Sequence, residues 1–365
     1  MDSVRFGIIG AGRIAHLVSW VFQEDPLLRA VAVADVQREA AAQLAAELAV
    51  ADVYTDYRTM LERQDIDAVY IATPPFLHRS MVLAALAADK HVLCEKPFVL
   101  RQEEVQEIET AAAAKPSLKV GCCSCRFHAA PTARRARQMV TGGELGVVYR
   151  LWFEAISRAW PVGAQLPPWR NDPARNGGGI AFDWGVYDLD WIAEVLGDGF
   201  RPRTVFGTLG NYFPLSEQRR PPTPDVDGRL AAEIVCDGGL TVHWERRAAE
   251  HGPPRHRVEI RGTRGGLDLS MTPEGKETRL LRHAYRVDEE LSSETLPEEP
   301  ADWRQTLVYP LRDMAAAIRD DRPPASPLRR QRVIHAVLDA LYASAATRSA
   351  ITVELPPVSA EQTTA

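Results

Sequence analysis

The stretch Lys90-His91-Val92-Leu93-Cys94-Glu95-Lys96-Pro97 closes an apolar run with an acid, a base and a proline. A short apolar run reads as a buried strand, and proline stops it. Ligands of open α/β sheets bind at the carboxyl ends of the strands, so Lys96, with Glu95 beside it, is a candidate for proton chemistry. A second group lies near the middle of the chain. Gly177-Gly178-Gly179 leads into a helical pattern over 182–196, in which Phe182, Val186, Leu189, Ala193 and Leu196 form an apolar stripe. Asp183 and Tyr187 stand one turn apart on a neighbouring stripe, followed by Asp190 and Glu194. A solvated polar edge accounts for Glu194. It accounts less well for a tyrosine beside an aspartate directly after three glycines, where the chain must approach something closely.

A third group could hold an anion. The apolar residues 4–9 run into Gly10-Ala11-Gly12-Arg13-Ile14-Ala15, and a helix follows. Gly10 permits the tight turn, Gly12 lets a pyrophosphate approach the backbone, and Ala15 lets the helix lie close on the sheet. The loop alone is a weak signal. Asp35 strengthens it, because it ends a second strand and lies where a carboxylate meets ribose hydroxyls. That favours NAD, while Arg38 keeps NADP open by offering a cation to a 2′-phosphate. Thr73-Pro74 ends another strand, so Thr73 could reach the cofactor. His78 opens the next helix, where capping or packing competes with a ligand role.

The elements that position these groups alternate regularly. Strands at 4–9, 29–34, 67–72, 90–94 and 118–121 are separated by helices at about 37–48, 56–63, 78–88 and 103–114. That alternation predicts a parallel, doubly wound α/β sheet. After 146 the pattern changes. Segments 147–157, 203–213, 229–235, 239–246, 257–262, 266–271 and 279–287 alternate as half-buried strands of an open, mainly antiparallel sheet with one face solvated or used for assembly. Helices follow at 302–319 and 327–347. The expected domains are 1–122 and 123–355, with a disordered tail at 356–365. The loop 218–227, with three prolines, reads as an exposed excursion.

Composition limits the alternatives. The chain has 365 residues, 45% hydrophobic and 25% charged, an ordinary globular balance for about two domains. A net charge of −6 and the lack of long basic runs argue against a nucleic-acid partner. No apolar run is long enough for a membrane span. Five cysteines and no secretory signal predict reduced thiols in the cytoplasm. Cys122-Cys123-Ser124-Cys125 lacks a second cluster at zinc-like spacing, so no metal site is expected.

Taken together, Gly10-Ala11-Gly12-Arg13-Ile14-Ala15, Asp35, Thr73-Pro74, Glu95-Lys96-Pro97 and Gly177-Gly178-Gly179…Asp183-x-Gly185-x-Tyr187-x-x-Asp190 resemble the Gfo/Idh/MocA oxidoreductase family. The resemblance implies a Rossmann domain plus a C-terminal α+β domain. It also implies NAD(P)-linked oxidation or reduction of sugars, polyols and related cyclic alcohols. By motif matching, Lys96 is the catalytic lysine, Glu95 lies by the nicotinamide and Asp183 is the substrate-side carboxylate. Tyr187 replaces the histidine of many members, a feature similar to the glucose–fructose oxidoreductase, xylose dehydrogenase and dihydrodiol dehydrogenase branch. Trp169-Arg170 also resembles that branch, where the pair lies near the cofactor, or else it anchors a loop.

Hydride transfer from an alcohol carbon requires its hydroxyl proton to leave. A phenol with pKa ≈ 10 is a poor base unless a nearby ammonium lowers that value. The expectation is therefore Tyr187 as acid/base, tuned by Lys96, with Asp183 bonding a neighbouring substrate hydroxyl. The alternative is Lys96 itself as proton carrier, with Tyr187 as a binding group. Arg126, Arg158, Trp160 and Trp169 are candidates for holding a polar ring. Two other functions compete with a dehydrogenase: a non-redox net reaction such as glycoside cleavage through transient oxidation, and a dinucleotide-binding sensor. The exposed sheet face predicts a homodimer or homotetramer.

Overall fold

The computed structural model describes residues 3–157, 167–211, 226–248, 250, 252–272, 281–284, 292–296 and 302–355. Six parallel strands form the first sheet: β1 (Val4–Ile9), β2 (Leu28–Ala34), β3 (Val53–Tyr54), β4 (Ala68–Ile71), β5 (His91–Cys94) and β6 (Val120–Cys122). Their order is β3-β2-β1-β4-β5-β6. The winding therefore reverses between β1 and β4, the switch point at whose carboxyl ends doubly wound sheets bind their ligands. Apolar residues fill β4 and β5 because helices cover both faces of a parallel sheet.

The second sheet contains β7 (Val148–Ile156), β8 (Pro202–Gly210), β9 (Arg229–Cys236), β10 (Thr241–Arg247), β11 (Arg255–Gly262), β12 (Gly266–Leu269), β13 (Leu281–Ala284), β14 (Ser292–Thr295) and β15 (Ile351–Thr352). They run in the order β14-β13-β12-β11-β7-β10-β9-β8-β15. The β7–β10 pair is parallel and the other described pairs are antiparallel. In β10, Val242, Trp244 and Arg246 point inward, while Thr241, His243 and Glu245 face outward. The expected two-sheet architecture is the observed one. The short edge strands β3, β14 and β15 were not foreseen, since two residues or a polar Ser-Ser-Glu-Thr run carry no readable alternation.

Three differences from the sequence reading concern the site. The pattern over 182–196 is two helices, Ile180–Asp183 and Gly185–Leu196, because the chain breaks at Trp184. A Cβ on Gly185 would stand 2.6 Å from the Trp244 ring, so this turn packs directly on β10. Glu194 is not on a solvated edge. It is buried, paired with Arg137 and with Arg330 Nη1 at 2.8 Å, because the helices Pro131–Thr141 and Leu328–Thr347 cover that side. The end of the supposed exposed excursion is also buried: Val226 and Asp227 are interior, Asp227 because it binds the helix that carries Asp183. The rest of that loop, and the 356–365 tail, lie outside the described residues.

The chain also returns to the first sheet late. The helix Trp303–Arg319 buries Val308, Leu311, Met314 and Ala315 in the same core as Phe6, Ile8 and Tyr70. Ser326 O accepts from Cys122 N at 3.0 Å, tying β6 to the segment before the helix Leu328–Thr347.

Candidate active site

The carboxyl edge of the first sheet presents a cradle at the point of reversal. Gly10 has φ +97°, and a Cβ there would lie 2.8 Å from Ala72 O, so only glycine fits this close approach of loop to β4. Gly12, by contrast, has open space where its Cβ would be, as the approach of a pyrophosphate to the backbone requires. Asp35 is fixed beside this loop: Oδ2 accepts from Ala11 N at 2.8 Å and Oδ1 from Gln37 N at 2.9 Å. Arg13 and Arg38 are exposed at the starts of their helices, and Ile14 is half-buried. Thr73 and Pro74 are half-buried, with Thr73 against Gly10. These residues fit a dinucleotide. His78 is different, being wholly buried with its ring 2.9 Å from both Thr73 O and Pro97 O, so it clasps two strand ends.

Lys96 emerges one residue past Glu95 and reaches the other lobe. Its Nζ donates to Asp183 Oδ1 and to Asp183 O, both at 2.6 Å. Lys96 and Asp183 side chains are 11% and 13% exposed, enough to meet a small molecule and little enough to be mostly dry. Burial pushes the Lys96 ammonium below its ordinary value; Asp183 opposes this and Arg170 adds to it. Burial pushes the Asp183 carboxyl up, but Lys96 and then Arg170 outweigh it and hold the group low.

The lysine and the phenol are not arranged as expected. Lys96 Nζ stands over the Tyr187 ring, 4.9 Å from its centroid, and not beside its oxygen. The cation at that oxygen is Arg126, which donates to Tyr187 through Nη1 and to Glu95 through Nη2. Tyr70 donates to the same Glu95 oxygen at 2.6 Å. Burial raises the Tyr187 phenol well above its ordinary value, and the guanidinium only partly offsets this. Arg126 itself is buried, and its Nε donates to a third partner, Leu307 O, at 3.4 Å. Glu95 stays below its ordinary value because Arg126 and the Tyr70 hydroxyl outweigh its burial.

The helix bearing Asp183 is held by a residue the sequence pattern did not single out. Asp227 accepts from Gly179 N at 2.8 Å and Ala181 N at 3.0 Å, while its backbone oxygen takes Ile180 N at 2.7 Å. Gly179 is small because the Asp227 backbone passes against it, and Gly178 because Tyr342 does. Asp188, one residue past Tyr187, was also missed. It receives Arg246 Nε at 2.6 Å and Trp244 Nε1 at 2.9 Å, fixing the next helix to β10. Aromatic rings wall the site: Phe127 lies edge-on to Tyr187 at 5.1 Å and stacks with Trp184 at 6.1 Å. Trp169 is half-buried under the Arg170 guanidinium at 5.4 Å. Arg158 and Trp160 lie outside the described residues. No metal-binding group of three or more His, Cys, Asp or Glu occurs among the described residues, and no described helix is long and apolar enough to cross a membrane.

A nucleotide cradle on one lobe, facing a lysine–carboxylate pair completed by the other, defines a two-domain dinucleotide-dependent oxidoreductase. Comparison with known proteins narrows the class. Residues 4–121 match the oxidoreductase family with an NAD-binding Rossmann fold, and residues 133–268 match the GFO/IDH/MocA C-terminal domain. The chain belongs to the Gfo/Idh/MocA oxidoreductase family. Among its relatives, it is 26% identical to 2,7-anhydro-N-acetylneuraminate hydratase of Mediterraneibacter gnavus, over 90% of this chain and 82% of that one. It is 26% identical to D-xylose 1-dehydrogenase (NADP(+)) 2 of Haloferax volcanii, over 95% and 99%. A structure of levoglucosan dehydrogenase with NADH and levoglucosan shares the fold at a TM-score of 0.81, with 22% identity over 97% of this chain and 100% of that one.

Proposed function

We propose that this protein is an NAD-dependent dehydrogenase or reductase acting on a hydroxyl or keto carbon of a sugar, polyol or related cyclic alcohol. One observation carries the reading: Lys96 Nζ, at the carboxyl edge of the nucleotide lobe, is held 2.6 Å from the Asp183 carboxylate of the other lobe. The nicotinamide, when bound, supplies the hydride acceptor or donor. The residues supply the rest. In oxidation, the neutral Lys96 amine takes the hydroxyl proton; in reduction, the ammonium returns it. Burial of Lys96 favours the neutral amine that this role needs. Asp183 orients that amine and accepts from a second hydroxyl of the substrate. The Tyr187 oxygen already accepts a hydrogen bond from Arg126, so its own O–H is free to donate to the substrate. Trp169 is proposed to line the sugar side.

NAD is the proposed cofactor because the Asp35 carboxylate, fixed on the glycine loop, repels a 2′-phosphate. Gly10, Gly12, Arg13, Ile14, Thr73, Pro74, Glu95 and Arg170 are proposed to complete its site. The domains are proposed to divide at 122, and the five free, buried cysteines suit the cytoplasm. A second reading has a specific support, the relative named a hydratase. In it, oxidation is transient and no net NADH forms.

A panel of monosaccharides, inositols, anhydrosugars and keto-sugars with NAD(H) and NADP(H) tests both readings. Net NADH formation with a free sugar is expected. Consumption of an anhydrosugar without net NADH would favour the second reading, and a tenfold preference for NADP would overturn the choice of cofactor. Lys96→Met is expected to cut turnover by roughly a hundredfold or more. Near-normal turnover in that variant would remove Lys96 from the chemistry.

A further inference from the structure

Asp183 serves two cations through one oxygen. Lys96 Nζ lies 2.6 Å from Oδ1, and Arg170 Nη2 lies 3.5 Å from the same atom. The arginine comes from a separate element, the turn Pro168–Asn171. That turn is braced where it meets the glycines. Asn176 Nδ2 donates to Arg170 O at 3.4 Å and to Gly178 O at 2.8 Å, and Asp172 caps the short helix Pro173–Asn176 between them. The Arg170 side chain is a third exposed, against about an eighth for Lys96 and Asp183, so it approaches the buried pair from the solvent side.

Two positive charges on one carboxylate oxygen repel each other, and each draws on attraction that the other would otherwise have. We infer that Arg170 is a positioning residue that sets the pH at which Lys96 exchanges its proton, by sharing the Asp183 oxygen that Lys96 depends on. The inference rests on the proposed reading of Lys96 as proton carrier.

The other charged and titratable groups around the lysine come from several elements. Glu95 precedes it in the chain, and Arg126 lies on the short helix Cys123–Ala129. Tyr187 presents its ring from the helix Gly185–Leu196, and Arg246 on β10 acts on Asp183. Arg126 and Arg246 are locked to Glu95 and Asp188. Arg170 is the cation in this group whose described ionic partner is Asp183. Without its charge, Asp183 turns wholly to Lys96, and the ammonium persists to higher pH. Oxidation needs the neutral amine, so its rising pH limb moves upward.

Trace labelling of the protein with acetic anhydride across the pH range, read on the Lys96 peptide by mass spectrometry, reports the titration of this amine without substrate. Arg170→Met is expected to move the Lys96 midpoint up by about half to one pH unit, and Arg170→Lys to return it close to the wild-type position. At saturating NAD, the rising pH limb of oxidation by Arg170→Met should move up with the Lys96 midpoint, so that its rate relative to its own high-pH plateau falls roughly three- to tenfold at pH values below the midpoint. An unchanged Lys96 midpoint in Arg170→Met would overturn the inference, as would failure of Arg170→Lys to restore it. A labelling midpoint that moves while the rate limb stays in place would keep Arg170 as the tuning residue and overturn Lys96 as the proton carrier.

Discussion

Arg126 shows how one side chain can decide the role of another. It is buried between Glu95 and Tyr187, and each of its bonds satisfies a group that burial alone would leave costly. With its oxygen accepting from a guanidinium and its phenol pushed upward by burial, Tyr187 is a neutral donor across the physiological range. Tyr187→Phe should remove a hydrogen bond to the substrate and leave Arg126 one partner short. We expect turnover to fall roughly tenfold to a hundredfold, with the rising pH limb retained. Loss of that limb in the Phe variant would return the proton to Tyr187. The purified variant with the best substrate of the sugar panel gives the answer in one pH profile.

At the scale of elements, the helix Leu328–Thr347 meets the start of the helix Gln102–Ala113 through Asp339, whose Oδ2 accepts from Gln102 N at 3.0 Å. Burial, aided by Glu103 and opposed by the bond from Gln102 N, raises the Asp339 carboxyl to about 6. A raised carboxyl stabilises the fold most below its unfolded value, near 4, and the benefit is lost as pH rises through about 6. Asp339→Asn keeps an acceptor for Gln102 and loses the charge. It should therefore be more stable than wild type at pH 7, on the order of 1–2 kcal/mol, with the difference vanishing near pH 4. Melting temperatures at the two pH values measure this. Elements of this length were legible in the sequence because their apolar spacing repeats. The positions of Gly10, Asp35 and Lys96 were legible too, since glycines and strand ends mark them, but the break at Trp184 that separates the helix of Asp183 from that of Tyr187 was not. Asp227, Asp188 and the Arg126 bridge were not, because their partners are distant in sequence and no local pattern encodes such a bond.

Across the whole molecule, the second sheet has one face covered by helices and one that meets the surface. The outer face carries Phe206 and Val235, each more than 40% exposed, and a Trp152–His243 stack at 3.6 Å. The same face also carries Arg150, Glu233, Glu245, Arg257 and Glu259 in ion pairs, and we propose that a homodimer or homotetramer would form through it. Light scattering at micromolar concentration should give at least twice the 40.4 kDa of one chain. A monomer would contradict it, and Phe206→Glu should lower the mass if this face is the one used.

The late return of the helix Trp303–Arg319 to the first sheet has a consequence for how the protein is made. The last strand of that sheet ends at Cys122, and the helix that covers part of its core starts at Trp303. At roughly 5–20 residues per second, a ribosome leaves that apolar surface uncovered for on the order of ten to forty seconds. The nucleotide lobe thus cannot finish in the order in which it is translated. Its closing piece arrives only after almost the entire second sheet has emerged, which makes the nascent chain a natural client for chaperones that shield apolar surface.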